Sequence, residues 1–454
     1  MCAIVGVSGT SDAAKIVALG LHALQHRGQE SAGVCSDDGN RQHCFRELGL
    51  ALDVLTEDHL RKLPGEVSIG HLRYSTAGES TLCNAQPFSI SCNKGRISVV
   101  HNGNITNAPK LRAKLDSEGS IFQATSDTEI ILHLLAKSAK TEFAEALIET
   151  LCQLEGAFSL LFLVNGKLFA VRDTHGFRPL VIGQMSDDTG SIVFASETCA
   201  LDLIGATYLR EVEPGEIVTV TGHEVTSVQY APKQPTAQCV FEPIYFSKPD
   251  SVTFGHSVYR MRERIGRLLA TRCPVQADYV VPVPDSGVVA AVGFAEASGI
   301  PYKPLLMRNH YVGRTFIEPK QAVRDLSVRL KLNPVQAMIE GMRIVLVDDS
   351  LVRGTTMQKV VSMIRKAGAA EVHVRISCPP TISPCFYGMD TPTFKELIAF
   401  RMTVNEIRQF INADTLEYLP MEGLRDAVGD YENYCYSCFD GNYPTDVSQL
   451  IQIG

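Results

Sequence analysis

Three sets of residues in this 454-residue sequence have the types and spacing to do chemistry. The first is Cys2. If the initiator Met1 is removed, as the small second residue predicts, Cys2 carries a thiol and a free α-amine. An α-amine titrates near ~8, far closer to neutrality than a lysine, so it can act as base for the thiol beside it. The second set is Asp348-Asp349, followed by Ser350, Arg353, Gly354, Thr355 and Thr356. Carboxylates repel phosphate, so the acid pair suits sugar hydroxyls or a hydrated Mg2+. The hydroxyls, Arg353 and a helix N-terminus suit the phosphates themselves. The third set is Cys239, Cys385, Cys435 and Cys438. The pair 435 and 438 forms a C-x-x-C motif, which alone is compatible with redox chemistry, zinc binding or no function at all.

The elements that must position these residues are legible around them. The apolar, mostly β-branched run 344–347 reads as a strand buried on both faces of a parallel sheet. The pattern over 357–366, stopped by Gly368, reads as the helix after it. Ligands in open α/β sheets bind at the carboxyl ends of strands, where the acid pair falls. A second strand over 278–283 leads into Pro284-Asp285-Ser286-Gly287 and a helix over 288–298, with Ser286 as a candidate helix cap. A long helix is predicted over 258–271. In the first half, 4–7 reads as a strand with Cys2 at its start, 12–24 as a helix and 97–101 as a strand leading to Asn102-Gly103-Asn104. Residues 125–129 read as the cap of a helix reaching about Lys137. Strands are predicted over 160–164, 168–171, 180–183 and 192–195, and residues 173–179 read as a structural turn. The Pro-containing stretch 231–238 has the composition of a domain boundary, giving a first domain over 2–235 and a second over 236–454.

The first half resembles the N-terminal-nucleophile glutamine amidotransferases. It carries C-x-I-V-G at position 2, Q-H-R-G-Q-E-S-A-G from Gln25, G-H-x-R-Y-S-T-A-G from Gly70, H-N-G-N from His101 and T-S-D-T-E from Thr125. The resemblance implies an αββα sandwich. It also implies that Cys2 attacks the glutamine amide and that the Asn102 side chain and Gly103 N–H stabilise the oxyanion. Arg73 and Asp127 would hold the two ends of glutamine, with Arg27 and Thr76 lining the pocket. His71 and His101 are read as structural. Ala3 stands where the family usually has glycine, which could crowd the nucleophile.

The stretch around Asp348 resembles the phosphoribosyl pyrophosphate (PRPP) motif of type I phosphoribosyltransferases, implying a second domain with a central parallel sheet. By that resemblance Asp285, Ser286 and Gly287 form the pyrophosphate loop, and Ser286 joins Asp348 and Asp349 around Mg2+. Residues 308–319, including Arg314, would form a flap over PRPP. The four cysteines match the ligand set of [4Fe–4S] amidophosphoribosyltransferases, with Zn2+ on four thiolates as the alternative. Both halves together resemble that family, which makes 5-phosphoribosylamine, pyrophosphate and glutamate from glutamine and PRPP. Purine nucleotides as inhibitors and a homodimer or tetramer are further implications. Another glutamine amidotransferase, or a non-catalytic Fe–S or nucleotide-sensing homologue, are the competing readings; the PRPP stretch opposes the first and the intact Cys2, Arg73, Asn102 and Asp127 oppose the second.

Bulk composition fits these readings. A 45% hydrophobic, 20% charged chain of net charge −8 suits a soluble globular protein with no general affinity for nucleic acid or anionic membranes. No apolar run approaches a membrane span, and no signal peptide precedes residue 6, so a cytoplasmic location is expected. Thirteen cysteines without an export signal argue against a disulfide framework. Cys35, Cys152 and Cys273 are expected to be small buried apolar residues.

Overall fold

The computed structural model describes residues 2–74, 81–187, 189–309, 332–391 and 393–453. Thirteen strands build the first half: β1 (Ala3–Ser8), β2 (Ser31–Asp37), β3 (Gln42–Leu48), β4 (Val67–Arg73), β5 (Phe88–Cys92), β6 (Gly95–Ile105), β7 (Gly156–Val164), β8 (Lys167–Arg172), β9 (Val181–Met185), β10 (Ile192–Ala195), β11 (Ala206–Glu211), β12 (Glu216–Thr221) and β13 (Glu224–Gln229). They form a seven-stranded sheet in the order β11-β9-β10-β1-β4-β2-β3 and a six-stranded sheet in the order β13-β12-β8-β7-β6-β5.

Side-chain alternation explains the layering. Along β1, Ile4 faces a core shared with Val100, Leu161 and Leu168 of the other sheet. Ala3, Val5 and Val7 face the opposite way, against Val17 and Leu21 of helix Ala13–Ala23. The six-stranded sheet buries its outer face under helices Thr128–Lys137 and Phe143–Leu151. Two sheets between two helical layers are the αββα sandwich. A strand apolar on both faces has to lie inside such a stack, and β1 is buried along its whole length. Cys2 is thereby fixed at the start of a wholly buried strand.

The second half is organised on four parallel strands, β14 (Tyr279–Pro282), β15 (Arg343–Asp348), β16 (Glu371–Ile376) and β17 (Thr415–Tyr418), in that order. β15 lies inside the sheet, and its apolar run is wholly buried. Helices Val258–Arg272 and Val288–Ser298 pack against each other on this sheet. They approach so closely that a Cβ on Gly293 would lie 2.0 Å from the carbonyl oxygen of Glu263. No helix among the described residues is long and apolar enough to cross a membrane.

Three local expectations need correction. Cys35 and Cys44 face each other across β2 and β3 with Cα atoms 4.0 Å apart and form a disulfide. Directly opposed cysteines on antiparallel strands are brought together by register, whatever the rest of the chain does. Cys152 is exposed, because it follows the last turn of helix Phe143–Leu151; Cys273 is buried as expected. Residues 125–129 do lead into helix Thr128–Lys137, with Asp127 at the N-cap position and the Ser126 hydroxyl accepting the Thr128 N–H at 3.3 Å, but Asp127 makes no side-chain cap there; its carboxylate accepts the N–H of Ile105 in β6 (2.9 Å).

The helix contact yields a stability prediction. Gly293→Ala should cost about 1–3 kcal/mol by overpacking, read as a lower denaturant midpoint with an unchanged slope. An unaltered midpoint would contradict the close approach of the two helices.

Candidate active sites

Cys2 is buried at the start of β1, and its thiol lies 3.7 Å from the carbonyl oxygen of Tyr74. Burial pushes the thiol above its ordinary range. Its proton therefore needs a base close by, which suits the α-amine reading. The Cys2 N–H donates to Asn102 Oδ1 at 3.3 Å. That bond orients the Asn102 amide, and its Nδ2 is buried with no partner among the described residues. A buried donor without an acceptor costs roughly 1–3 kcal/mol, and here it stands beside the Cys2 residue whose N–H the same side chain accepts. Gly103 follows with φ +154°, and a Cβ there would lie 2.0 Å from the carbonyl oxygen of Ala157. Only glycine fits.

Arg73 ends β4, 4% exposed, beside Glu30 at 4.0 Å. Asp127 sits across β6. Burial works to raise its carboxyl, but His101 and the N–H groups of Ile105 and Thr128 outweigh that and hold it below the usual range. An ionised Asp127 suits an ammonium ligand. It lines a cavity of about 500 Å3 with Asn104, Ile130, Phe386, Met389 and Ile451, so residues from both halves enclose this space. Ala3 causes no conflict: it is buried in the helix-side core and is absent from the non-glycine residues with positive φ.

His71 and His101 take structural roles. His71 Nε2 lies 3.1 Å from the carbonyl oxygen of His101, and its Nδ1 is buried without a partner among the described residues. Burial therefore keeps the ring neutral, down to about 3. His101 Nδ1 meets the Thr128 hydroxyl at 3.0 Å.

Arg27, expected to line the pocket, turns its side chain into the protein interior. Its guanidinium is fully buried beneath Cys2. Nε donates to the Cys2 carbonyl oxygen (3.1 Å), one terminal nitrogen to Glu197 (2.5 Å) and Glu242 (3.0 Å), and the other to Glu242 (2.8 Å). Burial would lower its pKa, but Glu242 and Glu197 hold it above the ordinary value. Glu197 also accepts the Lys248 N–H and Ser251 hydroxyl, at 2.9 and 2.7 Å. Thr76 and Arg314, with all of the flap beyond Asn309, lie outside the described residues.

The second constellation forms where β14 and β15 end. The Val283 N–H donates to the Val347 carbonyl oxygen at 2.9 Å, so the 284–287 loop runs beside the acid pair. Asp348 and Asp349 are 9% and 5% exposed. Burial, then the charge of Asp349, pushes the Asp348 carboxyl well up, against a hydrogen bond from Ser286. Ser286 therefore points to the acid pair, and Gly287 takes the N-cap position of helix Val288–Ser298 with no side-chain cap. Two carboxylates so buried require a counter-charge, and their oxygen chemistry fits Mg2+. The Ser350 hydroxyl bonds Asp349. Asp285 is exposed and ion-paired with Arg308. Arg353 bonds Glu396 at 3.2 Å. Gly354 caps helix Thr355–Lys366, leaving Thr355 and Thr356 exposed in its first turn.

Two tyrosines lie between the constellations and were not singled out from the sequence. Tyr245 is pushed up to about 12 by burial and by Asp349, Tyr74 and Asp348. The Tyr74 hydroxyl bonds Asp390, with Arg353 near enough to act on it. Nothing in the type or spacing of either tyrosine distinguishes it; only the docking of the two halves does.

The four cysteines converge at the domain entrance. Cys239 pairs with Cys435 between two short parallel strands. Burial raises Cys239 to about 11 and Cys435 to about 12, with each feeling Cys385. Cys438 is raised well up by burial and by the other three thiols. The Tyr387 N–H donates to Cys385 Sγ at 3.3 Å, and Ser437 Oγ lies 3.1 Å from Cys435 Sγ. The sulfurs share one electrostatic neighbourhood without closing on a single point: among the described residues no group of His, Cys, Asp or Glu could hold one metal ion. One buried thiol, Cys239, and three half-buried ones, Cys385, Cys435 and Cys438, two of them supported by N–H or O–H donors, fit an Fe–S cluster's ligand set.

A glutamine amidotransferase domain model matches residues 71–203 and a phosphoribosyl transferase domain model matches residues 261–392. Amidophosphoribosyltransferase of Vigna aconitifolia, named as chloroplastic, is 52% identical over 450 residues, covering 99% of this chain and 92% of the relative. That of Bacillus subtilis is 46% identical, covering 99% and 95%. This chain belongs to the amidophosphoribosyltransferase family. The solved B. subtilis glutamine PRPP amidotransferase, complexed with ADP and GMP, superposes with TM-score 0.94 at 44% identity over all of both chains. A solved allosteric regulatory enzyme of purine biosynthesis gives 0.94 at 45% identity, covering 98% of this chain and 97% of its own. The two matched domain models thus fall one on each half of the chain.

Neutral His71 makes one pH dependence explicit. Its folded pKa is depressed from 6.5 to about 3, so the unfolded chain binds its proton first. The stability it holds is complete above 6.5 and is lost as pH falls toward 3. Between pH 7 and 5 that loss is about 2 kcal/mol. Denaturant titrations of His71→Gln should show a correspondingly smaller acid-side loss; an identical pH dependence would count against a neutral buried ring.

Proposed function

We propose specific residue roles for the glutamine-dependent synthesis of 5-phosphoribosylamine. With Met1 removed, the Cys2 α-amine takes the thiol proton and the thiolate attacks the glutamine amide carbon. Asn102 Nδ2 and the Gly103 N–H receive the oxyanion, and loss of one such donor typically costs ~3 kcal/mol. Arg73 binds the substrate carboxylate as a bidentate partner, and Asp127 binds its ammonium. Collapse of the oxyanion adduct breaks the C–N bond, the Cys2 α-ammonium returns the proton to the departing nitrogen, and water hydrolyses the remaining glutamyl thioester to glutamate and free Cys2. The ammonia crosses between the domains to the anomeric carbon of PRPP. Asp285, Ser286 and Gly287 approach the pyrophosphate. Ser350, Thr355 and Thr356 donate to the 5-phosphate, and Arg353 and Arg314 add positive charge. Asp348, Asp349 and Ser286 hold Mg2+, which when bound offsets charge on the leaving pyrophosphate. The observation that carries this reading is the unpartnered Asn102 Nδ2 beside Cys2, in a chain whose other half brings a buried acid pair to the end of a parallel strand.

Cys239, Cys385, Cys435 and Cys438 are proposed to ligate a [4Fe–4S] cluster that staples the C-terminal segment to the domain entrance. Purine nucleotides are proposed as inhibitors, since the B. subtilis structure is complexed with ADP and GMP. A homodimer or tetramer in the cytoplasm completes the reading, although the plant relatives are named as chloroplastic.

Cys2→Ala should abolish PRPP-dependent glutamate formation yet still make phosphoribosylamine from added ammonia. Asn102→Ala should lower glutaminase kcat roughly 100-fold. Loss of the ammonia-dependent reaction in folded Cys2→Ala would overturn the two-compartment scheme. Protein purified without oxygen should contain iron and acid-labile sulfide in equal amounts, with a broad visible absorption; stoichiometric zinc without sulfide would replace the cluster by a zinc site.

A further inference from the structure

Arg178 closes the turn at 173–178, outside both substrate sites, and is fully buried. Its Nε and one terminal nitrogen donate to the Tyr387 carbonyl oxygen at 2.8 and 2.5 Å, and its other terminal nitrogen to Glu242 at 3.4 Å. The preceding residue, Phe177, accepts the Cys239 N–H at 3.1 Å and stacks its ring on Tyr387 at 4.1 Å. The turn therefore grips two cysteine-bearing segments, one at Cys239 and one two residues beyond Cys385. Burial would strip Arg178 of its charge; Cys239, Cys385 and Glu242 act against that, and its pKa is raised.

The gripped segment continues into the glutaminase site. The Phe386 carbonyl oxygen accepts from Asn104 Nδ2 at 2.9 Å. Gly388, at φ +97°, lies so close to Gly103 that a Cβ would fall 2.9 Å from the Gly103 carbonyl carbon. The stretch that follows Cys385 is thus laid along the strand that carries both oxyanion donors.

We propose that Arg178 is a positioning residue for glutamine hydrolysis: it balances the charge of the four-cysteine site and, through the Tyr387 carbonyl, seats Gly388 against Gly103. The charge-balancing half rests on the Fe–S reading above; the seating half does not. Lysine keeps the charge but cannot reproduce the paired donation to one carbonyl oxygen.

Full-length wild type, Arg178→Met, Arg178→Lys and Gly388→Ala, all purified without oxygen, test it. The readouts are iron and sulfide per chain and, with PRPP present, glutaminase kcat and glutamine KM separately. Arg178→Met should lose iron and lower kcat roughly tenfold or more, as expected when an oxyanion donor is misplaced, with KM changed less than about twofold. Arg178→Lys should retain wild-type iron but recover only part of kcat. Gly388→Ala should keep its iron and lose kcat, so it decides the seating even if Arg178→Met does not fold. Wild-type kcat in Gly388→Ala would overturn the seating. Wild-type iron in folded Arg178→Met would overturn the charge balance. Wild-type protein lacking iron and sulfide would overturn the Fe–S reading itself, leaving the kcat arms to judge the seating alone.

Discussion

The arrangement depends on a buried network of charge in which Arg27 and Arg178 share Glu242, and Arg27 also binds Glu197. All four side chains are fully buried. Burying charge is costly unless nearly every donor and acceptor is matched. Here the matching partners come from four places: the Cys2 carbonyl, Glu197, the segment entering the second domain and the Tyr387 carbonyl. Removing one partner of such a set typically costs ~3–5 kcal/mol. An apolar cluster of the same volume could supply equal stability. It could not specify which segments meet, because apolar contacts are not directional.

Function follows from where those segments lead. Arg27 supports the nucleophile from below and packs over Phe246 at 4.8 Å. Phe246 ends the short π-helical turn Glu242–Phe246, which presents Tyr245 toward the acid pair. Arg178 carries the same network to the stretch lying on the oxyanion strand. Glutamine hydrolysis without an acceptor wastes nitrogen, so the two chemistries benefit from shared supports. Coupling of this kind needs a physical element that both sites bias, and the network touches each side.

Much of this was legible in the sequence. Buried strands announce themselves by apolar runs, and the one before Asp348 fell within a residue of its observed bounds. The helix after Gly287 was placed at its observed ends because its composition is mostly apolar and small, between a Gly-containing loop and Gly299. The residues proposed as nucleophile and oxyanion donors stood out by resemblance, since the family's motifs occur in order along the first half. What sequence did not disclose was partnership across the interface. Arg27 read as pocket lining because its motif adjoins the nucleophile, whereas its charge is consumed by Glu242, more than 200 residues away. Arg178 and Tyr245 carry no local signal. The Cys35–Cys44 pairing required strand register, which a count of cysteines does not contain.

Hydrogen exchange in Glu242→Gln tests the network most directly, because the substitution removes one charge while keeping the shape. If one buried network holds three segments, protection should fall together in peptides covering 2–8, 239–246 and 385–388. Loss confined to 239–246, with the nucleophile strand and the cysteine segment as protected as in wild type, would show that these segments are held independently.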